Sequence, residues 1–584
     1  MQLLYSNQKN VQILISLLKA FDIHNVIVSP GVKNISFVGS IQNDAWFKLY
    51  SCVDERSAAY MACGIASETK QPVVLTCTEA TAPRNYFPGL TEAFYRKLPI
   101  IAVTSTWADE MPGHMFPQCI DQSVSPNDTF KYSCELPVVD NSNDSWVCSL
   151  LVNHALNELD RAGGGPIRIG LRVQKEYQFT EKTLPKVRVI KRYYDVSNVA
   201  KELKNKRIGI FVGAHLPWSE ELVEAVGSFC ANFNAVVICD HTSNYYGASK
   251  ILYPLIGSQD YLDKECLKLD IMIHIGEVIG SYTVPICDYV WRVNEDGEIR
   301  DPFRKLNRVF QMSEYQFFSQ ICFPKPANTR VSSVFKLFKS LDDDIRGKIP
   351  ALPFSNIWIA SRMSTKIPEG AALHLAILNS LRSWNFFELK KKADVYCNVG
   401  GFGIDGCMSS FLGASFVNQE KLYFGVFGDL SFFYDLNSLA NWHVGNNVRI
   451  VLINNGRGVE FRNYNNAAER YYGDNDIFMA AAGHFGNQSK TLVKDYCTSL
   501  GIQYLSAHNK SEFEEASDIL FSKDSKQAIL LEAFTNAEDE SNALKILRTI
   551  QTDKKTQMKT AVKKTIESTL GPSGTALAKK FITR

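Results

Sequence analysis

Short apolar runs that end abruptly in small or polar residues recur along this chain, and that punctuation limits what it can fold into. Residues 422–427 (LYFGVF) end in Gly428-Asp429, and residues 448–453 (VRIVLI) end in Asn454-Asn455. Each run has the length and composition of a buried strand. Residues 431–442 between them carry apolar side chains at helix-compatible spacing, too many residues for a hairpin turn but enough for a crossover, so the unit reads strand, helix, parallel strand. Loops at the carboxyl ends of parallel strands form the ligand crevice of an open α/β sheet. Asp429 and Asn455, 26 positions apart (455 − 429), are therefore expected on one rim.

The same punctuation runs through most of the sequence. VIVSPG near 26, VVLTCT near 73, IIAVTST near 100 and GGGPIRIGL near 163 alternate with helical patterns in a first segment reaching about residue 180. A charged stretch, residues 174–192 (QKEYQFTEKTLPKVRVIKR), loses the periodicity and reads as a linker. RIGIFVGAH at 207, AVVICDH at 235 and LDIMIHIG at 269 mark a second segment, whose glycines fall short of a full dinucleotide fingerprint. Residues 324–355 read as another connection, and the third segment runs from about 356 to 540. The expected fold class is α/β, three consecutive domains with mainly parallel sheets, spanning 1–180, 190–340 and 356–540, with a basic helical tail over 541–584.

Composition narrows the partners. With 584 residues, 45% hydrophobic and 21% charged, the chain can bury a large core, and length alone suggests three or four domains. A net charge of +2 supplies no global field for nucleic acid or a membrane surface, although residues 552–584 hold eight basic and two acidic groups. No run approaches 18 apolar residues, and the opening lacks a cationic start and a cleavage site while patterning as a helix through Val11, Leu14, Ile15, Leu18 and Phe21. A cytoplasmic location is expected. Fourteen cysteines, some inside apolar runs such as Cys230 and Cys239, form no CxxC pair and read as buried thiols.

A carboxylate, an amide oxygen and a nearby backbone carbonyl are hard ligands, suited to Mg²⁺ when a phosphate supplies the remaining oxygens. Gly-Asp and Asn-Asn-Gly are also ordinary turn formers. Their order and spacing here, strand, GD, helix, strand, NN, resemble the motif of the thiamine diphosphate enzymes. That resemblance implies Asp429, the Asn455 side chain and the main-chain carbonyl of Arg457 as Mg²⁺ ligands, with Gly428 and Leu430 beside the cofactor. It also implies pyrimidine-binding, central and diphosphate-binding domains, in that order. A carboxyl group must then contact the aminopyrimidine ring, and Glu55, in VDERSA at the head of an Ala-rich helical run, holds the matching position.

A narrower resemblance covers about residues 5–550. SPGVKNISF, VDERSA, TEATAPRNYFPGL, the glutamine of MFPQCIDQ (Gln118), NSL, GIDG and GDLSFFYDLNSL follow the order and spacing of the SEPHCHC synthase (MenD) family of the menaquinone pathway. By that likeness Asn379, Ser380 and Ser431 hold the diphosphate, and Gly403 and Ile404 sit at the bend of the cofactor, Ile404 wedged between its rings. Where the family carries arginines for its substrates' carboxylates, this chain has Lys33, Trp107 and Val399. A bidentate cation replaced by tryptophan or valine cannot grip a carboxylate.

The implied activity is thiamine diphosphate- and Mg²⁺-dependent decarboxylation of a small 2-oxoacid, with transfer of the remaining carbon unit to a carbonyl or enone acceptor or to a proton. Lys33, Trp107, Gln118 and His443 are candidate substrate contacts. SEPHCHC synthase proper, an acetolactate-synthase-like carboligase with FAD, and a non-catalytic cofactor-binding homologue remain alternatives. The family also implies a homodimer or a dimer of dimers, with sites formed where chains meet.

Overall fold

The computed structural model describes residues 3–108, 110–174, 176–321, 331–472 and 476–552. The chain divides into two compact units, residues 1–194 with 296–311 and residues 195–295 with 312–584. Residues 553–584, most of the expected basic tail, lie outside the described residues; before them Ala537–Arg548 is a helix.

The first unit carries β1 (Tyr5–Ser6), β2 (Asn25–Val28), β3 (Lys48–Ser51), β4 (Val73–Cys77), β5 (Ile100–Thr106), β6 (Tyr132–Leu136), β7 (Ile167–Arg172), β8 (Phe179–Glu181) and β9 (Lys191–Tyr193). Six of them form a sheet ordered β3-β2-β4-β5-β7-β6, parallel throughout. The stretch read as a linker instead supplies β8, antiparallel to β1, and β9. Pairing with a neighbouring edge, not local periodicity, makes these short segments strands.

In the second unit β10 (Ile208–Val212), β11 (Ala235–Cys239), β12 (Lys250–Leu252), β13 (Leu269–Ile275) and β14 (Cys287–Val293) form a parallel array ordered β12-β11-β10-β13-β14. Next in the chain, β15 (Leu306–Phe310) pairs in parallel with β9 and belongs to the first unit. The other sheet of the second unit uses β16 (Ala372–Leu375), β17 (Asp394–Tyr396), β18 (Tyr423–Gly428), β19 (Val448–Asn454), β20 (Gln503–Ala507) and β21 (Ile529–Phe534). Its order is β17-β16-β18-β19-β21-β20, again parallel throughout.

Helices cover both faces of these sheets, which is why the strands read as continuous apolar runs. Along β19 the side chains alternate between two cores: Val451 and Ile453 pack on one face, Ile450 and Leu452 on the other. Residues 324–355, read as a connection, contain the helix Ser333–Gly347; Ser332 caps it, and Val334, Phe338 and Ile345 bury one face. The prolines at 324, 326, 350 and 353 flank that helix, and they gave the segment its loop-like look.

Each six-stranded sheet first reverses its strand order between β2 and β4 in the first unit and between β16 and β18 in the second. At such points consecutive loops diverge and leave a crevice at the carboxyl edge. At the first, the loops after β2 and β4 touch: a Cβ added at Gly31 would lie 2.3 Å from the Thr78 Cβ. We expect Gly31→Ala to lower stability by about 1–3 kcal/mol in urea denaturation. Adding Thr78→Gly to the same chain should recover part of the loss, and a neutral single variant would contradict the packing.

Candidate functional site

The second crevice is built from the loops after β16, β18 and β19. Gly428 ends β18, and the helix Asp429–Tyr434 begins at once, two residues before the expected start. It breaks at Asp435, whose carboxylate accepts from Ser409 N at 2.5 Å and Ser409 Oγ at 2.6 Å, and a 3-10 turn over Leu436–Ala440 completes the crossover. Gly428 faces Ile453 across the ladder, so Asp429 and Asn455 emerge side by side.

Asp429 is 2% exposed. Leu430 N donates to its Oδ1 at 2.7 Å, while Gly456 N at 2.8 Å and Asn487 Nδ2 at 3.2 Å donate to its Oδ2. Gly456 needs φ +77° to turn its amide toward that carboxylate, a conformation that costs glycine nothing. Burial nevertheless outweighs these bonds and pushes the Asp429 carboxyl up to about 6. Two further acids lie beneath. Glu532 accepts from Asn454 Nδ2 at 2.7 Å and Tyr504 OH at 2.9 Å. Glu540 accepts from Asn356 N at 2.9 Å and Thr535 Oγ1 at 2.8 Å, and burial raises it to about 7. The charge on Asp429 adds to the shift of both.

Asp429, Leu430, Asn356 and Glu540 line one cavity of about 130 Å³. Of the residues singled out from sequence, Asn379, Ser380, Ile404, Gly428, Asp429, Leu430, Ser431, Asn455 and Arg457 all border it. Gly403 does not, but its neighbour Ile404 is held there by Ser431 Oγ, which donates to the Ile404 carbonyl at 2.8 Å. Asn455 Oδ1 and Asn487 Oδ1 are shielded from solvent with no hydrogen-bond partner among the described residues. The donor set is thus oxygen-rich, anionic and incompletely satisfied, which fits a small hard cation with a phosphate beside it.

Sequence reading missed Asn356, Glu460 and Glu540 at this cavity, Asn487 as a donor to Asp429, and Arg382, which pairs with Glu460 at 2.7 Å. Each comes from a distant or pattern-free segment. It also missed Leu378, which precedes Asn379 with φ +68°, a conformation that costs a non-glycine residue roughly 1–3 kcal/mol and here aims the loop into the cavity.

The remaining candidates lie elsewhere. His443 is exposed, its ring tilted by 39° against Trp442 with centroids 4.2 Å apart, outside the cavity lining. In the first unit Glu55 opens the helix Glu55–Thr69, whose cap Asp54 accepts from Arg56 N at 3.2 Å and Ser57 Oγ at 2.7 Å. Glu55 is half-buried, and its charge helps to raise the buried Cys77 thiol and Tyr86 hydroxyl behind it. Lys33 and Trp107 meet, the Lys33 Nζ 4.2 Å above the indole ring. Gln118 is exposed, with φ +65°.

Residues 8–124 match the thiamine pyrophosphate enzyme N-terminal TPP binding domain. Through these residues the chain is similar to thiamine diphosphate-dependent enzymes. Along nearly its whole length it is similar to 2-succinyl-5-enolpyruvyl-6-hydroxy-3-cyclohexene-1-carboxylate synthases. The Phocaeicola vulgatus protein is 29% identical over 581 residues, covering 93% of this chain and 98% of its own, and that of Flavobacterium johnsoniae is 26% identical over 561 residues, covering 91% and 97%. A solved structure with similarity is the Rhodococcus jostii RHA1 thiamine diphosphate-dependent 4-hydroxybenzoylformate decarboxylase, at TM-score 0.41 and 12% identity over 90% of this chain and 99% of that one.

The buried acids make a pH prediction. Folding raises Asp429 and Glu540 above their unfolded values, so the folded state binds more protons and stability falls as pH climbs from about 4 to about 7. In chelator, the protein should melt higher at pH 5 than at pH 7.5. Glu540→Gln should remove up to about 3 kcal/mol of that difference. An identical pH dependence in the variant would refute the assignment.

Proposed function

We propose that the protein binds thiamine diphosphate with Mg²⁺, removes carbon dioxide from a small 2-oxoacid and passes the remaining carbon unit to a carbonyl or enone acceptor, or to a proton. The observation that carries this reading is the cavity around Asp429, where a buried carboxylate, the unpartnered Asn455 Oδ1 and the turn bearing the Arg457 carbonyl collect at one strand edge. These three are the proposed Mg²⁺ ligands, and the Ser380 and Ser431 hydroxyls with Asn379 the proposed diphosphate contacts. Ile404, braced against the core, is the proposed wedge against the cofactor rings. When bound, thiamine diphosphate supplies the carbon nucleophile and the electron sink.

The chain's own residues supply orientation and proton transfer. Glu55 is the proposed acid and base at the aminopyrimidine nitrogen. Lys33, Trp107 and Gln118 are the proposed substrate contacts. The reading includes a cytoplasmic homodimer, or a dimer of dimers, in which Glu55 of one chain serves the cavity of another. Tyr60 and Met61, 49% and 51% exposed on the helix that Glu55 opens, support such an interface. Domains spanning 1–180, 190–340 and 356–540, with a tail over 541–584, accompany this proposal; the parallel sheets support them.

The relatives' name favours a second reading, the same synthase reaction. Against it, Trp107 and the buried Val399 stand where that family carries carboxylate-binding arginines.

The test is carbon dioxide release from a panel of 2-oxoacids by the protein loaded with thiamine diphosphate and Mg²⁺. Glu55→Gln should slow release and exchange of the cofactor's C2 proton by about 10²–10⁴-fold; unchanged exchange would remove its role. Asp429→Ala should weaken Mg²⁺-dependent cofactor binding at least about tenfold in calorimetry, as loss of a charged ligand worth more than about 1.4 kcal/mol requires. Unaltered affinity would overturn the metal site.

A further inference from the structure

The first unit's crevice holds a carboxyl group that the proposed chemistry does not use. Glu79 follows β4 at the reversal point, between the loop after β2 that bears Lys33 and the end of β5 that leads to Trp107. It is 2% exposed, yet neither Oε1 nor Oε2 has a hydrogen-bond partner among the described residues. Ala80 next to it takes φ +69°, a backbone conformation unfavourable for any residue with a Cβ. Thr106 Oγ1 and Trp107 Nε1, at the neighbouring strand end, are likewise buried and unpartnered.

Among the described residues no hydrogen bond repays this arrangement. Burying a carboxyl with no hydrogen bond costs several kcal/mol, and the Lys33 ammonium nearest in charge is engaged with the indole face of Trp107. Burial raises the Glu79 carboxyl and Lys33 opposes that rise, so neither effect satisfies its oxygens. Unsatisfied buried polar groups gathered in a crevice are what a ligand completes.

We propose that Glu79 is a specificity residue for the acceptor substrate, which it selects as a polyhydroxylated, sugar-like carbonyl compound and not a carboxylate. This rests on the carboligase reading above and names its acceptor class. Two carboxyl oxygens accept from vicinal hydroxyls of the ligand. Thr106 Oγ1 and Trp107 Nε1 add donors for the ligand's oxygens. A carboxylate in the same place would face Glu79 with like charge and would find Trp107 where a guanidinium is needed.

Two aldehydes of four carbons, D-erythrose and succinic semialdehyde, separate the possibilities. Saturation-transfer NMR on the protein loaded with thiamine diphosphate and Mg²⁺ reads binding without turnover. D-Erythrose is expected to bind at least tenfold more tightly than succinic semialdehyde. Glu79→Ala should weaken D-erythrose at least tenfold, and Glu79→Gln, which keeps an acceptor oxygen, should lose less. Glu79→Gln should also melt above the parent protein, since it removes a buried unsatisfied acid; a residue kept for structure would lower the melting temperature. Tighter binding of succinic semialdehyde, or D-erythrose affinity within threefold of the parent in Glu79→Ala, would overturn the assignment. Protein that releases no carbon dioxide from any 2-oxoacid, yet binds D-erythrose through Glu79, would sink the enzyme reading and its acceptor role while leaving Glu79 as a contact for a polyhydroxylated ligand.

Discussion

A carboxylate held out of water at the end of a parallel strand sets the terms for the second unit. Asp429 cannot hydrate, and three N–H groups, from Leu430, Gly456 and Asn487, hold its two oxygens. Those bonds fix the turn after β19, the start of the helix after β18 and the position of the 3-10 segment that bears Asn487. Three separate stretches of chain are thereby registered on one charge. The bonds do not cancel its desolvation, since the group remains shifted toward its neutral form. A divalent cation placed against this carboxylate would reverse that shift.

The acids beneath deepen the argument. Glu532 and Glu540 are buried on or just after β21, and both feel the charge of Asp429. A fold selected for stability alone would place apolar side chains there. Instead Glu540 fastens the start of the helix Asn356–Met363 through the Asn356 amide, and Glu532 ties β19 to β20 through Asn454 and Tyr504. The buried acids serve as struts between elements.

How much of this was legible in the sequence follows from the range of each interaction. Strands such as β4, β5, β18 and β19 announce themselves because helices on both faces demand unbroken apolar runs. The adjacency of Asp429 and Asn455 is legible because one crossover joins their strands. Asn487 is not, since it lies 58 positions from Asp429 in a segment without periodicity. Strands β8 and β9 were hidden because edge pairing, not pattern, stabilises them. The helix Ser333–Gly347 was masked by the prolines around it. The break at Asp435 depends on a tertiary bond to Ser409 that no local rule contains.

The two reversal points show why topology alone does not decide chemistry. Both crevices open where parallel strands diverge, yet their polar contents differ in kind. At β18 and β19 the oxygens are anchored by backbone amides and share one centre, which suits a point charge. At β2, β4 and β5 the polar groups are spread over three loops: a carboxyl without partners, an ammonium laid on an indole, and the unpartnered Thr106 Oγ1 and Trp107 Nε1. No single ion could satisfy acceptors and donors together. A ligand with alternating hydroxyl and carbonyl oxygens could, because each of its groups meets a partner of opposite hydrogen-bonding sense. The departures from the arginine pattern then follow from one requirement: once Glu79 occupies the crevice, a guanidinium beside it would pair with that carboxyl and abolish the vacancy the substrate needs.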